Sequence, residues 1–156
     1  MTKVKLYPEL EVPEMLLADR RSVYGLRTYV SLFSSAGVGC YGFKEEGFYC
    51  VATVELLERR LKIQKFNQKC VYNSGYICGD MTTQETKDKV FAELTMWKRG
   101  FNLTDLDVLI ATPPCQGMSV ANHKKKDELK RNSLVVESIK MTQQIEPKFF
   151  IFLVMS

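Results

Sequence analysis

Five β-rich runs alternate with four helix-patterned segments along this chain, and that alternation leaves few architectures open. The runs cover 26–33, 49–54, 75–78, 106–111 and 148–154, and each is dominated by β-branched, aromatic or small apolar residues. The segments 38–46, 56–66, 83–98 and 133–144 carry helical spacing, and Leu134, Val135, Ile139, Met141 and Ile145 fall mainly on one helix face. Strands joined by helices run in the same direction, and helices then cover both faces of the sheet. The expected fold class is therefore α/β, a doubly wound, mostly parallel sheet.

At 156 residues the chain fits one domain, and 46% apolar with 26% charged content suits a chain that buries a core. We expect a leader over 1–27, which contains Pro8 and Pro13 in an acidic-apolar mixture, and a single domain over 28–156. The longest apolar stretch, 149–155, is too short to span a bilayer, and residues 1–5 lack the apolar core of a secretion signal. The expected compartment is the cytoplasm. Five cysteines with no C-x-x-C pair, and His123 as the single histidine, argue against a disulfide scaffold and against a zinc site.

The sharpest local feature is Pro113-Pro114-Cys115-Gln116, which follows the apolar run Val108-Leu109-Ile110-Ala111. Two prolines remove two amide donors and fix the backbone, so a strand must stop there. Cys115 is thereby presented in a loop at a strand's carboxyl end, where open α/β sheets place their chemistry. It is a candidate nucleophile; the alternative is a buried structural cysteine. Downstream, Lys124-Lys125-Lys126 with Lys130-Arg131 forms a basic cluster. Such a cluster can hold phosphates beside a reactive group, or it can be an ordinary solvated surface.

The first strand-to-helix turn reads Phe33-Ser34-Ser35-Ala36-Gly37-Val38-Gly39-Cys40-Tyr41-Gly42. Its small residues let backbone approach a ligand, and Gly37, Gly39 and Gly42 match a dinucleotide fingerprint by letter; a plain tight turn gives the same letters. Glu55 ends the second run, where a carboxylate can accept both ribose hydroxyls of a nucleoside or simply open a helix. Asp80, after Cys78-Gly79, can accept from an adenine amino group or cap the following helix.

Taken together these residues resemble the DNA (cytosine-5) methyltransferase family. The stretch from Leu32 to Phe43 is similar to its cofactor loop, Glu55 to its ribose carboxylate, Asp80 to its adenine contact, and Pro113 to Ser119 to its catalytic loop. Arg131-Asn132-Ser133-Leu134 resembles the Arg-x-x-Leu that opens the helix after that loop. The resemblance implies a Rossmann-like methyltransferase fold that binds S-adenosylmethionine through Phe33, Ser35, Ala36, Gly37, Val38, Glu55, Leu56, Asp80, Met81, Pro114 and Leu134. It implies double-stranded DNA as partner, contacted by Gln116, Ser119, Lys124, Lys125, Lys126 and Arg131. Cys115 is the implied catalytic thiolate, adding to C6 of a flipped-out cytosine so that C5 can take a methyl group. An RNA cytosine methyltransferase lineage shares the same Pro-Pro-Cys-Gln loop, and a non-catalytic cofactor-binding module is a further alternative.

The departures from the family pattern carry their own expectations. Ser31 stands where Asp is usual, Ser35 and Val38 where glycines are usual, and Ala111-Thr112 where a glycine pair precedes the prolines. After Phe152 the pattern has Glu-Asn-Val, whereas this chain has Leu153-Val154-Met155-Ser156. The missing glutamate is the acid partner of the thiolate, so the resemblance implies a C-terminally incomplete catalytic domain without its target-recognition region. Such a portion would not complete the reaction alone, and a second chain or a C-terminal half would supply the rest. One sheet face is expected to be left uncovered, with association as the consequence.

Overall fold

The computed structural model describes residues 25–114 and 125–153, with the side chains of 125–132 outside the description. Five strands form one sheet: β1 (Thr28–Leu32), β2 (Tyr49–Glu55), β3 (Tyr76–Cys78), β4 (Val108–Ala111) and β5 (Phe149–Phe152), in the order β3-β2-β1-β4-β5. Every neighbouring pair is parallel, which the helical connections between successive strands require. Those helices are α1 (Tyr41–Glu45), α2 (Glu58–Phe66), α3 (Gln84–Phe101) and α4 (Lys125–Ile145).

The direction of travel reverses after β3, so right-handed crossovers send the helices to opposite faces. Strand alternation records this in the packing. On one face Tyr29, Cys50, Val108 and Ile110 pack with Cys40 and Phe43 of the α1 region. On the other, Val30, Leu32, Val54, Leu109 and Ala111 pack with Val90, Leu94, Trp97 and Phe101 of α3 and with Met141 and Ile145 of α4. Val30 and Leu109 are wholly buried, and each such side chain contributes about 1.5–3 kcal/mol of apolar burial.

β2 departs once from strict alternation. Its register with β1 shifts between Tyr29 and Val30, pairing Tyr29 with Cys50 and Val30 with Ala52, so Val51 is an extra residue. At the strands' starting edge, Asp107 accepts from the Thr28 amide (2.8 Å) and from Lys148 Nζ (2.7 Å), tying β1, β4 and β5 together. The Asp107 carboxylate in turn raises the pKa of Lys148.

Element ends differ from the sequence expectation for identifiable reasons. β1 stops at Leu32 because Phe33 turns to φ 56°. The segment expected as one helix over 38–46 is a 3₁₀ turn, Val38–Cys40, followed by the short α1. α3 runs on to Phe101 and is closed by Asn102 in the left-handed region, φ 53°. Thr83 rather than Asp80 caps the start of α3, accepting from the Thr86 amide. α4 already runs through Lys125, Lys126 and Arg131, ahead of the Ser133 start expected, so Arg131 does not open the helix. Among the described residues no helix is long and apolar enough to cross a membrane.

Candidate active site

The carboxyl ends of the strands form one continuous rim. Just beyond each strand the backbone still reaches its neighbour: Ser34 N to Val54 O (3.0 Å), Gly79 N to Glu55 O (3.1 Å), Thr112 N to Leu32 O (3.1 Å) and Leu153 N to Ala111 O (3.0 Å). Parallel pairing therefore brings the glycine turn, Glu55, Asp80 and Pro113-Pro114 to one edge. β1 and β4 adjoin where the winding reverses, which is the crevice in which open α/β sheets bind ligands.

The turn after β1 is held in an unusual shape. Phe33, Ser35 and Gly37 all have positive φ, at 56°, 50° and 88°. Gly37 has a second reason to lack a side chain, since a Cβ there would sit 3.1 Å from Gln64 Cγ. Gly39 and Gly42 have open space around them and no positive φ. The letter match to a dinucleotide fingerprint therefore holds physically at Gly37 alone.

Glu55 anchors this turn. Its Oε2 accepts from the Ser35 amide (2.8 Å), and its Oε1 from the Leu57 amide (3.1 Å) and Arg60 Nη1 (3.4 Å). A carboxylate has about four acceptor positions, so one remains on Oε2, room for one further donor rather than for two ribose hydroxyls. The side chain is almost wholly buried, whereas Leu56 beside it is exposed.

Asp80 is exposed, and its Oδ1 accepts from both the amide and the hydroxyl of Thr82 (2.8 Å each). Met81 is buried in the main core, so its side chain does not face the rim. Ser35 and Val38 are exposed, Ala36 and Gly37 half-buried, and Phe33 packs against the core from the turn. Pro113 is buried, Pro114 exposed, and Thr112 Oγ1 donates to the Phe33 carbonyl (2.8 Å), joining the first and fourth loops. Leu134 lies half-buried on α4. Cys115, Gln116, Ser119 and Lys124 lie outside the described residues, as do the side chains of Lys125, Lys126 and Arg131.

Sequence reasoning missed several groups at this edge. Gln64, Ser34 and Thr112 brace the turn from beneath and beside it, and Cys78 exposes a thiol whose Sγ reaches the Leu56 carbonyl (3.6 Å). Gln64 lies three positions after Leu61, on the buried stripe of α2, whereas Ser34 and Thr112 stand in stretches the sequence had marked without revealing that they brace the turn. No group of His, Cys, Asp and Glu that could hold a metal occurs among the described residues.

Comparison with known proteins accords with this geometry. A solved E. coli prophage DNA modification methyltransferase superposes with a TM-score of 0.57 over 82% of this chain and 32% of that one; at 21% identity this speaks for the fold. The Type II methyltransferase M1.HgaI of Avibacterium volantium is 33% identical over 138 residues, 85% of this chain and 34% of the relative. M.XorII, a Type II methyltransferase of Xanthomonas oryzae pv. oryzae, is 31% identical, covering 79% of this chain and 27% of its own length. The chain thus spans about a third or less of the length of these curated relatives. Residues 27–152, from the entry to β1 to the end of β5, match the family model for C-5 cytosine-specific DNA methylases, and the chain belongs to that family.

Proposed function

We propose that this chain is the cofactor-binding and catalytic-loop portion of an enzyme that transfers a methyl group from S-adenosylmethionine to C5 of cytosine in double-stranded DNA. The observation that carries the proposal is the rim itself: the positive-φ turn, a buried carboxylate with one acceptor position open, and the Pro113-Pro114 strand stop meet at the winding reversal of a chain in this family. Phe33, Ser35, Ala36, Gly37 and Val38 supply the walls of the cofactor site. Glu55 takes one ribose hydroxyl, with Leu56 exposed beside it. Asp80 retains Oδ2 for an adenine amino group, Met81 contributes only through backbone, and Pro114 and Leu134 close the far side.

Bound there, S-adenosylmethionine supplies an electrophilic methyl group. Cys115 adds as thiolate to cytosine C6, placing electron density on C5; C5 takes the methyl group, and loss of the C5 proton then expels the thiolate. An acid protonates the cytosine ring as the thiolate adds. Gln116, Ser119, Lys124, Lys125, Lys126 and Arg131 hold the DNA, the cations by phosphate contacts that position without reading sequence.

Two measurements test the proposal. Calorimetric titration of this chain with S-adenosylhomocysteine should show saturable binding, and no heat from a folded sample would sink the cofactor assignment. The polypeptide extended to the length of its relatives should form a covalent complex with duplex DNA carrying 5-fluorocytosine, and Cys115→Ser should abolish it. A serine variant that still traps DNA would remove Cys115 from its role.

A further inference from the structure

We infer that Gln64, a side chain of α2 that does not face the rim, is the positioning residue that sets the shape of the ligand-binding turn. The inference rests on the proposed function for what the turn binds, and on geometry for the rest. Gln64 is 1% exposed, and each polar function of its amide is engaged. Oε1 accepts from Thr53 Oγ1 (2.7 Å) on β2; Nε2 donates to Ser34 Oγ (2.9 Å) and to the Ser35 carbonyl (2.6 Å). A carbonyl can only accept, so the amide orientation is fixed by chemistry.

These bonds belong to one directional chain. Lys69 Nζ donates to Thr53 Oγ1 (3.0 Å), Thr53 to Gln64, Gln64 to Ser34, and Ser34 Oγ to the Val54 carbonyl (3.1 Å). Donor and acceptor roles run in a single sense from a lysine to the end of β2, with no step needing a second proton. Ser35 is therefore gripped from both sides, its amide by Glu55 Oε2 and its carbonyl by Gln64 Nε2. That grip falls on a non-glycine residue at φ 50°, a conformation costing on the order of 1–2 kcal/mol that persists only when neighbours enforce it. Two residues on, Gly37 lies against the Gln64 stem, so the same side chain limits a second of the turn's three left-handed positions.

Neither a hydrocarbon nor a carboxylate can replace the amide here. An apolar chain of equal length leaves the Ser35 carbonyl without its donor, and a glutamate sets acceptor against acceptor at the same point. Thr53 provides the control, because Thr53→Val removes the bond to Oε1 and leaves both donations from Nε2 to the turn intact.

The experiment measures S-adenosylhomocysteine affinity by calorimetry and the urea midpoint for the wild-type chain, Gln64→Met, Gln64→Asn and Thr53→Val. We expect Gln64→Met, which keeps volume, and Gln64→Asn, which falls one methylene short, to weaken binding by about tenfold or more, the equivalent of about 1.4 kcal/mol. Thr53→Val should lower the midpoint by as much as Gln64→Met yet bind within about twofold of wild type. Equal affinities for wild type and both Gln64 variants would overturn the inference, as would equal losses in Thr53→Val and Gln64→Met, which would mark a core effect. A wild-type chain that folds but gives no heat would instead overturn the cofactor assignment on which the inference stands. Should Gln64→Met not fold, Gln64→Asn decides the matter by the same comparison.

Discussion

Gly75 owes its identity to a neighbour's backbone. A Cβ at this position would lie 2.6 Å from the Val51 carbonyl oxygen, the extra residue where β2 shifts register. Backbone cannot swing aside as a side-chain end can, so Gly75→Ala should lower stability by about 1–3 kcal/mol, read as a fall in the urea midpoint. Glu93 presents the opposite situation, a residue whose removal should help. Burial on α3 raises its pKa, an effect that a hydrogen bond from Ser74 offsets only in part. An acid whose folded pKa lies above its unfolded value binds its proton more tightly when folded, so its contribution to stability falls as pH rises through that window. Glu93→Gln should therefore match wild type at acid pH and exceed it increasingly towards neutrality. Thermal melts across pH check this, and a parallel pair of curves would refute it. At this scale letters mislead as readily as they inform: three glycines spelled a fingerprint, and only Gly37 has dihedrals and contacts that demand it.

At the scale of elements, the sequence exposed the order of strands and helices because strand-like and helix-like runs alternate along it, some of them closed by residues that cannot continue a strand. Pro113 and Pro114 after β4 are the plainest case. Element ends were less legible where tertiary contacts override local preference. Phe33 leaves β1 for a left-handed conformation although its letters suit a strand, because the turn it opens is gripped from β2 and α2. The early part of α4 was hidden by its charge: Lys125 to Arg131 reads as a solvated surface, yet it is helical and continues into the buried Met141 and Ile145. What joins α4 to α3 was invisible in sequence, since Lys87 and Glu137 are fifty positions apart. Their ion pair is mostly buried, and Lys140 Nζ also reaches Glu137 (2.8 Å), which lowers the pKa of that carboxyl. A double-mutant cycle of Lys87→Met and Glu137→Gln should return a coupling of about 1–2 kcal/mol, above an exposed pair and below a fully buried one. A coupling near zero would mean that apolar packing alone docks the two helices.

At the scale of the molecule, the sheet is unevenly protected. Parallel sheets survive because both faces are covered and their strands read as unbroken apolar runs. β5 has such a sequence, Phe-Phe-Ile-Phe, but occupies the sheet's edge, and among the described residues no strand pairs with its outer side. Phe149 is 67% exposed on one face and Phe150 37% on the other, while Leu153 and, on α4, Val136 and Ile139 are also exposed. An apolar edge strand with free backbone donors and acceptors is a template for pairing with another chain, and charged residues blunt it. The chain should therefore associate with rising concentration in sedimentation-velocity experiments. Lysines at Phe149 and Phe150 should weaken that association by roughly tenfold to a hundredfold, given about 1.5–3 kcal/mol for each fully buried phenylalanine and incomplete burial in any such contact. Those substitutions lie on the strand farthest from Glu55, so S-adenosylhomocysteine affinity should remain that of the wild-type chain. If affinity fell together with association, the edge of β5 and the turn after β1 would be coupled through the sheet, and the proposed cofactor site would have to be treated as completed only in the assembled state.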